Sequence, residues 1–218
     1  MDPLTRPITE DHLQAVPLFP LPHAAFFPHT MLPLHVFEPR YRAMTAWCLE
    51  HDWPMAVVAI RPGHESEQRG EPPLTLVGGV GHIVHHEKLD DGRFHILLHG
   101  RARVQLHEIL SDRTHPWRSA EAELLPDQGS VGAADMIAVR ACLRALAQKW
   151  PKGAPLLSKL LEHATEPAAL ANGAGAFLLP DHDARQAHLE EQDVGARIDT
   201  VLARVSEMLV QLEEGGLH

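Results

Sequence analysis

At 218 residues, with 44% hydrophobic and 22% charged side chains, the chain is long enough for one large or two small domains and has the balance of a folded protein. A formal net charge of −10 argues against nucleic acid as a partner, because a phosphate backbone is held by a concentrated positive face. The opening Met1-Asp2-Pro3-Leu4-Thr5-Arg6-Pro7 lacks the features of a signal peptide, and apolar runs such as 55–60 fall far short of the roughly 20 residues of a membrane span, so a cytoplasmic protein without membrane contact is expected.

Residues 1–14 carry no clear period and read as an amino-terminal tail. From there to residue 128 the chain is β-rich. Candidate strands are 15–21, 31–37, 54–61, 74–88, 93–110 and 117–125, short runs punctuated by proline and glycine. Six such strands suggest a closed or nearly closed sheet, since closure removes exposed edges. Pro17, Pro20 and Pro22 point to an edge or rim position for the first strand, because proline has no N–H to give a ladder. Asp90-Asp91-Gly92 supplies the turn of a hairpin joining 81–88 to 93–99. One helix interrupts the strands after Glu38, with Pro39 in its first turn and Tyr41, Met44 and Cys48 on one face.

The run Gly129-Ser130-Val131-Gly132 marks a boundary, beyond which apolar residues recur at three and four. Helices are predicted over 133–150, 155–164, 167–179, 183–191 and 194–212, packed as a bundle within 133–214. The fold class is therefore α+β, a β-rich unit followed by a helical one. Asp193 and Arg197, four apart on the last helix, suggest an exposed ion pair. Cys48 and Cys142 both fall in helical pattern and read as reduced packing thiols.

The segment Pro17-Leu18-Phe19-Pro20-Leu21, then Phe26-Phe27-Pro28, Leu32-Pro33-Leu34 and Phe37-Glu38-Pro39-Arg40-Tyr41, resembles the opening of the Lon protease amino-terminal (substrate-binding) domain family. The likeness continues through Gly81, Gly92 and Gly100 to Arg103, and more weakly over Leu178-Leu179-Pro180, Gln186, Leu189-Glu190 and Arg197. It implies a PUA-like pseudo-barrel followed by a helical bundle, and a part in protein quality control by binding unfolded or damaged protein segments beside a separate protease or chaperone. His29-Thr30 stands where the family commonly has glycine in the turn after Pro28. The 218 residues hold no Gly-x-x-x-x-Gly-Lys-[Ser/Thr] phosphate loop and no serine in a nucleophile elbow, so the expected module binds without catalysis and without a cofactor.

For protein binding the candidate apolar patch is Phe26, Phe27, Met31 and Leu32, with Trp53 and Trp117 as possible anchors beside strand starts. Phe19, Leu21, Leu34 and Phe37 are assigned to the core. Glu38, Arg40 and Tyr41 read as a structural clasp: a carboxylate at a helix start, an arginine to pair with it and an inward ring. The alternative function is a metal- or small-molecule-dependent enzyme on the histidine-rich hairpin, where one register sets His86 against His95 and His82 against His99. Solvated strand histidines remain the blander reading, for no Cys-x-x-Cys or His-Glu-x-x-His spacing accompanies them. RNA binding would need Arg93, Arg101, Arg103 and Arg113 to gather into a patch that the net charge hides.

Overall fold

A computed structural model describes residues 6–67, 70–110 and 114–214. They form two compact units that divide between Pro126 and Asp127, slightly before the glycine run that the sequence marks as the boundary. The reason lies in backbone pairing: Gln128 N–H donates to Gln192 O at 2.9 Å and Val194 N–H donates to Gln128 O at 3.0 Å, which ties residues 127–128 to the start of the last helix.

All six predicted strands form in the first unit: β1 (Val16–Leu21), β2 (Met31–Val36), β3 (Met55–Ala59), β4 (Val77–Lys88), β5 (Phe94–Leu110) and β6 (Ser119–Leu125). The sheet order is β2-β5-β4-β3-β1-β6, and β6 pairs again with β5, so five strands close a barrel and β2 lies outside the ring. Only β1 and β3 run parallel among the paired strands.

Of the edge or rim position expected for β1, the edge is corrected, for the strand has neighbours on both sides. Its prolines fit because those neighbours cover different lengths. Leu18 N–H donates to Arg118 O on the β6 side, so by alternation the nitrogen of Pro20 also faces that side, beyond the pairing of Val16 and Pro17 with β6. Pro17 faces the β3 side, just ahead of where that pairing begins at Leu18. Each missing N–H thus falls where no strand is paired to receive it.

Period-two alternation buries both faces of the barrel wall. Val16, Leu18, Ala56, Val58, Val80, Val104, Leu106 and Ala120 come from all five barrel strands and fill the interior. The intervening Phe19, Met55 and Val57 join Val36, Ile96 and Leu98 in a second cluster, covered by Tyr41, Met44 and Cys48 of α2 (Pro39–His51). Burial on two faces explains why β1 and β3 read as continuous apolar runs.

The segment between β1 and β2 crosses the sheet at close range. A side chain at Gly79 would bring its Cβ to 1.9 Å from Phe26 O, and one at Gly100 would come to 2.1 Å from Phe27 O. Bare backbone at these two points lets residues 26–28 lie flush on the strands. The hairpin turn closes as expected, with Gly92 at φ 79° and its N–H donating to Leu89 O.

Residues 6–14 are more than a tail. Arg101 Nε donates to Arg6 O at 3.0 Å, Ile8 and Leu13 pack against the barrel interior cluster, and a short helix, α1 (Glu10–Gln14), follows Thr9. In the second unit the five predicted helices are α3 (Ala133–Lys149), α4 (Ala154–His163), α5 (Pro167–Leu178), α6 (His182–Glu190) and α7 (Val194–Glu213). Leu143, Leu157, Leu170, Ala174 and Val201 form their common core. The proposed Asp193–Arg197 pair is not made. Arg197 is wholly buried and donates to Asn172 Oδ1 and Asp127 Oδ1, while Asp193 caps α7 by accepting from Ala196 N–H at 2.8 Å.

Candidate functional site: the open edge of β2

The structure separates the residues grouped as an apolar patch. Phe26 and Phe27 are 1% and 0% exposed, pressed on the sheet by the glycine contacts, and are corrected from patch to core. Trp117 is buried as well, and Trp53 is half-buried. Met31 is 48% exposed and Leu32 partly buried, so Met31 remains the most accessible of the six. Phe37 moves the other way: assigned to the core by its size, it is 58% exposed.

One rule of parity explains both. Along β2 the even residues Leu32, Leu34 and Val36 turn toward the α2-covered cluster, whereas Met31, Pro33, His35 and Phe37 are exposed. The His35 ring lies 6.0 Å from that of Phe37 and 4.9 Å from that of His95 on β5. The backbone follows the same alternation. Gly100 N–H donates to Thr30 O, so the even residues of β2 bond to β5 while the polar groups of Met31, Pro33 and His35 face the other edge. Among the described residues no strand covers that edge. It offers a partner backbone donors and acceptors, flanked by two exposed apolar side chains and interrupted at Pro33.

The chain reaches β2 through a turn at Phe27-Pro28-His29-Thr30. His29 sits at φ 66°, the left-handed region where glycine is favoured, and Thr30 Oγ1 donates to Phe27 O at 2.7 Å to hold the turn. The geometry normally supplied by glycine is therefore reached without it.

Beyond β2, Arg40 Nε and Nη2 both donate to Glu38 Oε2, at 3.2 and 3.1 Å, and Nη1 donates to Gly70 O at 3.0 Å. The Arg40 guanidinium lies over the Tyr41 ring, which stacks on Phe19 at 4.6 Å. Burial pushes the Tyr41 hydroxyl up to about 12, so it stays protonated. Glu38, Arg40 and Tyr41 fasten the start of α2 to β1, as the clasp reading expects, with both Arg40 donors on one carboxylate oxygen. Pro39, at the first helical turn, starts α2 immediately after the open strand.

The histidines divide. His82 stands opposite His99 as one register requires, but a bulge between Ile83 and His85 shifts the rest, so His95 faces Glu87 and His86 faces Ile96. No group of three or more His, Cys, Asp or Glu is arranged to hold a metal among the described residues. His82 is itself buried at 2% exposure, and desolvation pushes its pKa down to about 4. Of the arginines weighed for RNA, Arg103 is buried, Arg93 pairs with Asp91 at 2.6 Å and Arg101 is bonded to the backbone of Arg6, while Arg113 lies outside the described residues. The sequence reading missed Arg6, His12 and Trp47, which gather with Trp53 and His82. The first two lie in a segment with no apolar period to mark it. No helix among the described residues is long and apolar enough to cross a membrane.

Comparison with known proteins gives a consistent result. Residues 15–207 match the family described as ATP-dependent protease La (LON) substrate-binding domain. The chain is 28% identical over 197 residues to Lon protease 2 of Myxococcus xanthus, covering 88% of this chain and 24% of that protein. It is 27% identical over 207 residues to Lon protease of Escherichia coli strain K12, covering 91% and 26%. It thus spans about a quarter of the length of these relatives. In fold it is similar to a Lon N-terminal domain protein from Xanthomonas campestris, with TM-score 0.62, 21% identity and coverage of 87% of this chain and 98% of that one. The N-terminal domain of a Mycobacterium avium complex Lon protease is also similar, with TM-score 0.66, 19% identity and coverage of 88% and 98%.

Proposed function

Since the chain belongs to the Lon substrate-binding domain family, we propose that it is a non-catalytic binding module that takes extended segments of unfolded or damaged proteins onto the open edge of β2, serving as an adaptor or holdase beside a separate protease or chaperone. The observation that carries this reading is the juxtaposition of an uncovered strand edge with Met31 at 48% and Phe37 at 58% exposure. Main-chain bonding to such an edge is largely independent of client sequence, and the flanking apolar side chains favour clients that have lost their own core. Exposed apolar groups of this size are uncommon enough on a strand edge to require an explanation, because edges are sites of unwanted association.

The test is a fluorescence anisotropy titration with a reduced, carboxymethylated client that cannot refold. Saturable binding is expected, weakened about tenfold or more when Met31→Asp and Phe37→Asp are combined, which corresponds to at least ~1.4 kcal/mol. Both positions are exposed, so the double variant keeps its fold and circular dichroism checks that it does. Binding unchanged by the double variant, or no saturable binding at high micromolar concentrations, rejects the reading.

A further inference from the structure

A cavity of about 350 Å³ opens between one flank of α2 and the hairpin of β4 and β5. Pro39, Arg42, Ala43 and Ala46 recur at helical spacing on that flank, beside the buried stripe of Tyr41, Met44 and Cys48. Two of the four are alanines, whose short side chains leave the space open. The hairpin supplies Lys88 and Phe94, which pair across the strands, and Gly92 of the turn. The volume falls at the small end of the ~300–1,000 Å³ common for ligand sites.

Both cationic groups are fixed at this cavity by other residues that line it. The Arg42 guanidinium lies against Gly92, where a Cβ would collide with Nη2. Lys88 Nζ stands 5.8 Å from the centroid of the Phe94 ring. Arg42 keeps part of its surface in solvent and Lys88 is exposed, so both charges can be reached. No carboxylate lines the cavity. The Asp91 carboxyl is held below its ordinary value chiefly by the bonds that Arg93 gives it, and the charge of Arg42 is a lesser cause. Arg93 Nε lies 2.6 Å from Asp91 Oδ2, so that carboxylate is taken by Arg93, and Arg42 forms no ion pair among the described residues. In a chain of net charge −10, two such cations at one concavity reverse the local sign.

We infer that this cavity binds a small carboxylate carried on an apolar stem. Arg42 offers a planar fork that matches the two oxygens of a carboxylate, and Lys88 adds a second charge. The stem packs on Pro39, Ala43, Ala46 and Phe94. An ammonium group meets two like charges here, and a neutral amide leaves both cations without a counter-charge. Inorganic phosphate answers the charges but brings no stem to the apolar lining.

A free short-chain acid and the carboxyl terminus of a polypeptide share this chemistry. The proposal does not rest on client capture at β2, and its test uses small acids alone. The whole chain, labelled with nitrogen-15, is titrated with hexanoate, acetate, hexanamide and inorganic phosphate at constant ionic strength. The Gly92 amide signal is followed throughout, together with Arg42 Nε–H where that residue is present. Hexanoate is expected to shift both saturably and to bind about tenfold more tightly than acetate, since its added methylenes are partly buried. Hexanamide and phosphate are expected to bind no more tightly than acetate. Arg42→Gln and Lys88→Gln should each weaken hexanoate about threefold, as the loss of a partly exposed ion pair implies. Ala43→Leu, at an exposed helical position, fills the space and should bring hexanoate down to the level of acetate. N-acetylleucine binding as tightly as hexanoate assigns a polypeptide terminus as the source, and binding of hexanoate alone assigns a free acid. No saturable shift, hexanamide or phosphate binding as tightly as hexanoate, or an affinity unchanged in both Arg42→Gln and Lys88→Gln overturns the inference.

Discussion

Two phenylalanines, one before β2 and one after it, give the sharpest quantitative test. Phe27 is 0% exposed, with Gly100 directly beneath its backbone, so Phe27→Ala leaves a hole that closely packed strands cannot refill. The loss combines transfer and cavity contributions and is expected at about 3–5 kcal/mol. Phe37 keeps 58% of its surface in water. Phe37→Ala therefore gives up only about two-fifths of a transfer energy of ~2–3 kcal/mol, and no cavity forms because solvent fills the space, for a loss of about 1 kcal/mol. Urea unfolding followed by tryptophan fluorescence measures both, since Trp47, Trp53 and Trp117 report on the β unit and only Trp150 on the helical one. Residue size and local pattern alone predict the opposite order. Equal losses, or a larger one at Phe37, would mean that Phe37 is packed and that the edge of β2 is covered, which removes the basis for the proposed function.

Further expectations concern the turn, the helical unit and acid stability. His29→Gly relieves a left-handed residue worth roughly 1–2 kcal/mol against a glycine entropy loss of ~0.5–1, so a net gain of about 0.5–1 kcal/mol is expected from denaturation midpoints. Asp127→Ala leaves the guanidinium of wholly buried Arg197 undercompensated and should lower stability by about 3 kcal/mol, whereas Arg197→Met should cost less. Thermal melts by far-ultraviolet circular dichroism compare the two. His82 is held neutral by burial, with its folded pKa at about 4 against an ordinary 6.5, so between those values the unfolded chain binds more protons than the folded one. Its contribution is present above pH ~6.5 and is lost as pH falls toward ~4, amounting to at most about 3 kcal/mol. A wild-type stability profile that stays parallel to that of His82→Gln between pH ~6.5 and ~5 would contradict this assignment.

Much of the fold was legible because its punctuation is local. Proline or glycine stands close to at least one end of each of the six strands, and apolar stripes at three and four mark the five helices of the second unit. What escaped was the choice of face. Alternation along β2 says that Met31 and Phe37 lie together, but only the position of α2 decides that Leu32, Leu34 and Val36 are the covered set. Burial of Phe26 and Phe27 depends on Gly79 and Gly100, far away in sequence, so nothing in the local pattern reveals it. Arg197 is a different case. It falls on the same stripe as Val194, Ile198 and Val201, and its burial was readable from spacing that a charged side chain obscured. The grouping of Arg6, His12, Trp53 and His82 was out of reach because it joins residues from the amino terminus, the end of α2 and the middle of β4.

The open edge is itself a consequence of barrel closure. Residues 103–110 of β5 pair with β6 and complete the ring, but β5 begins at Phe94, and its first residues extend beyond what β6 covers. Residues 94–99 pair with β2 instead, so the excess length of the β4–β5 hairpin is what creates a strand outside the ring. Closure covers much of the edge of each ring strand, whereas β2 is paired on one side only along its whole length among the described residues. Pro33 withholds one donor in the middle of that edge, which interrupts a continuous ladder and discourages pairing between copies of the chain. The residues on either side retain their polar groups, so a short extended segment anchored at Met31 or at Phe37 fits this edge better than a long, regular strand does.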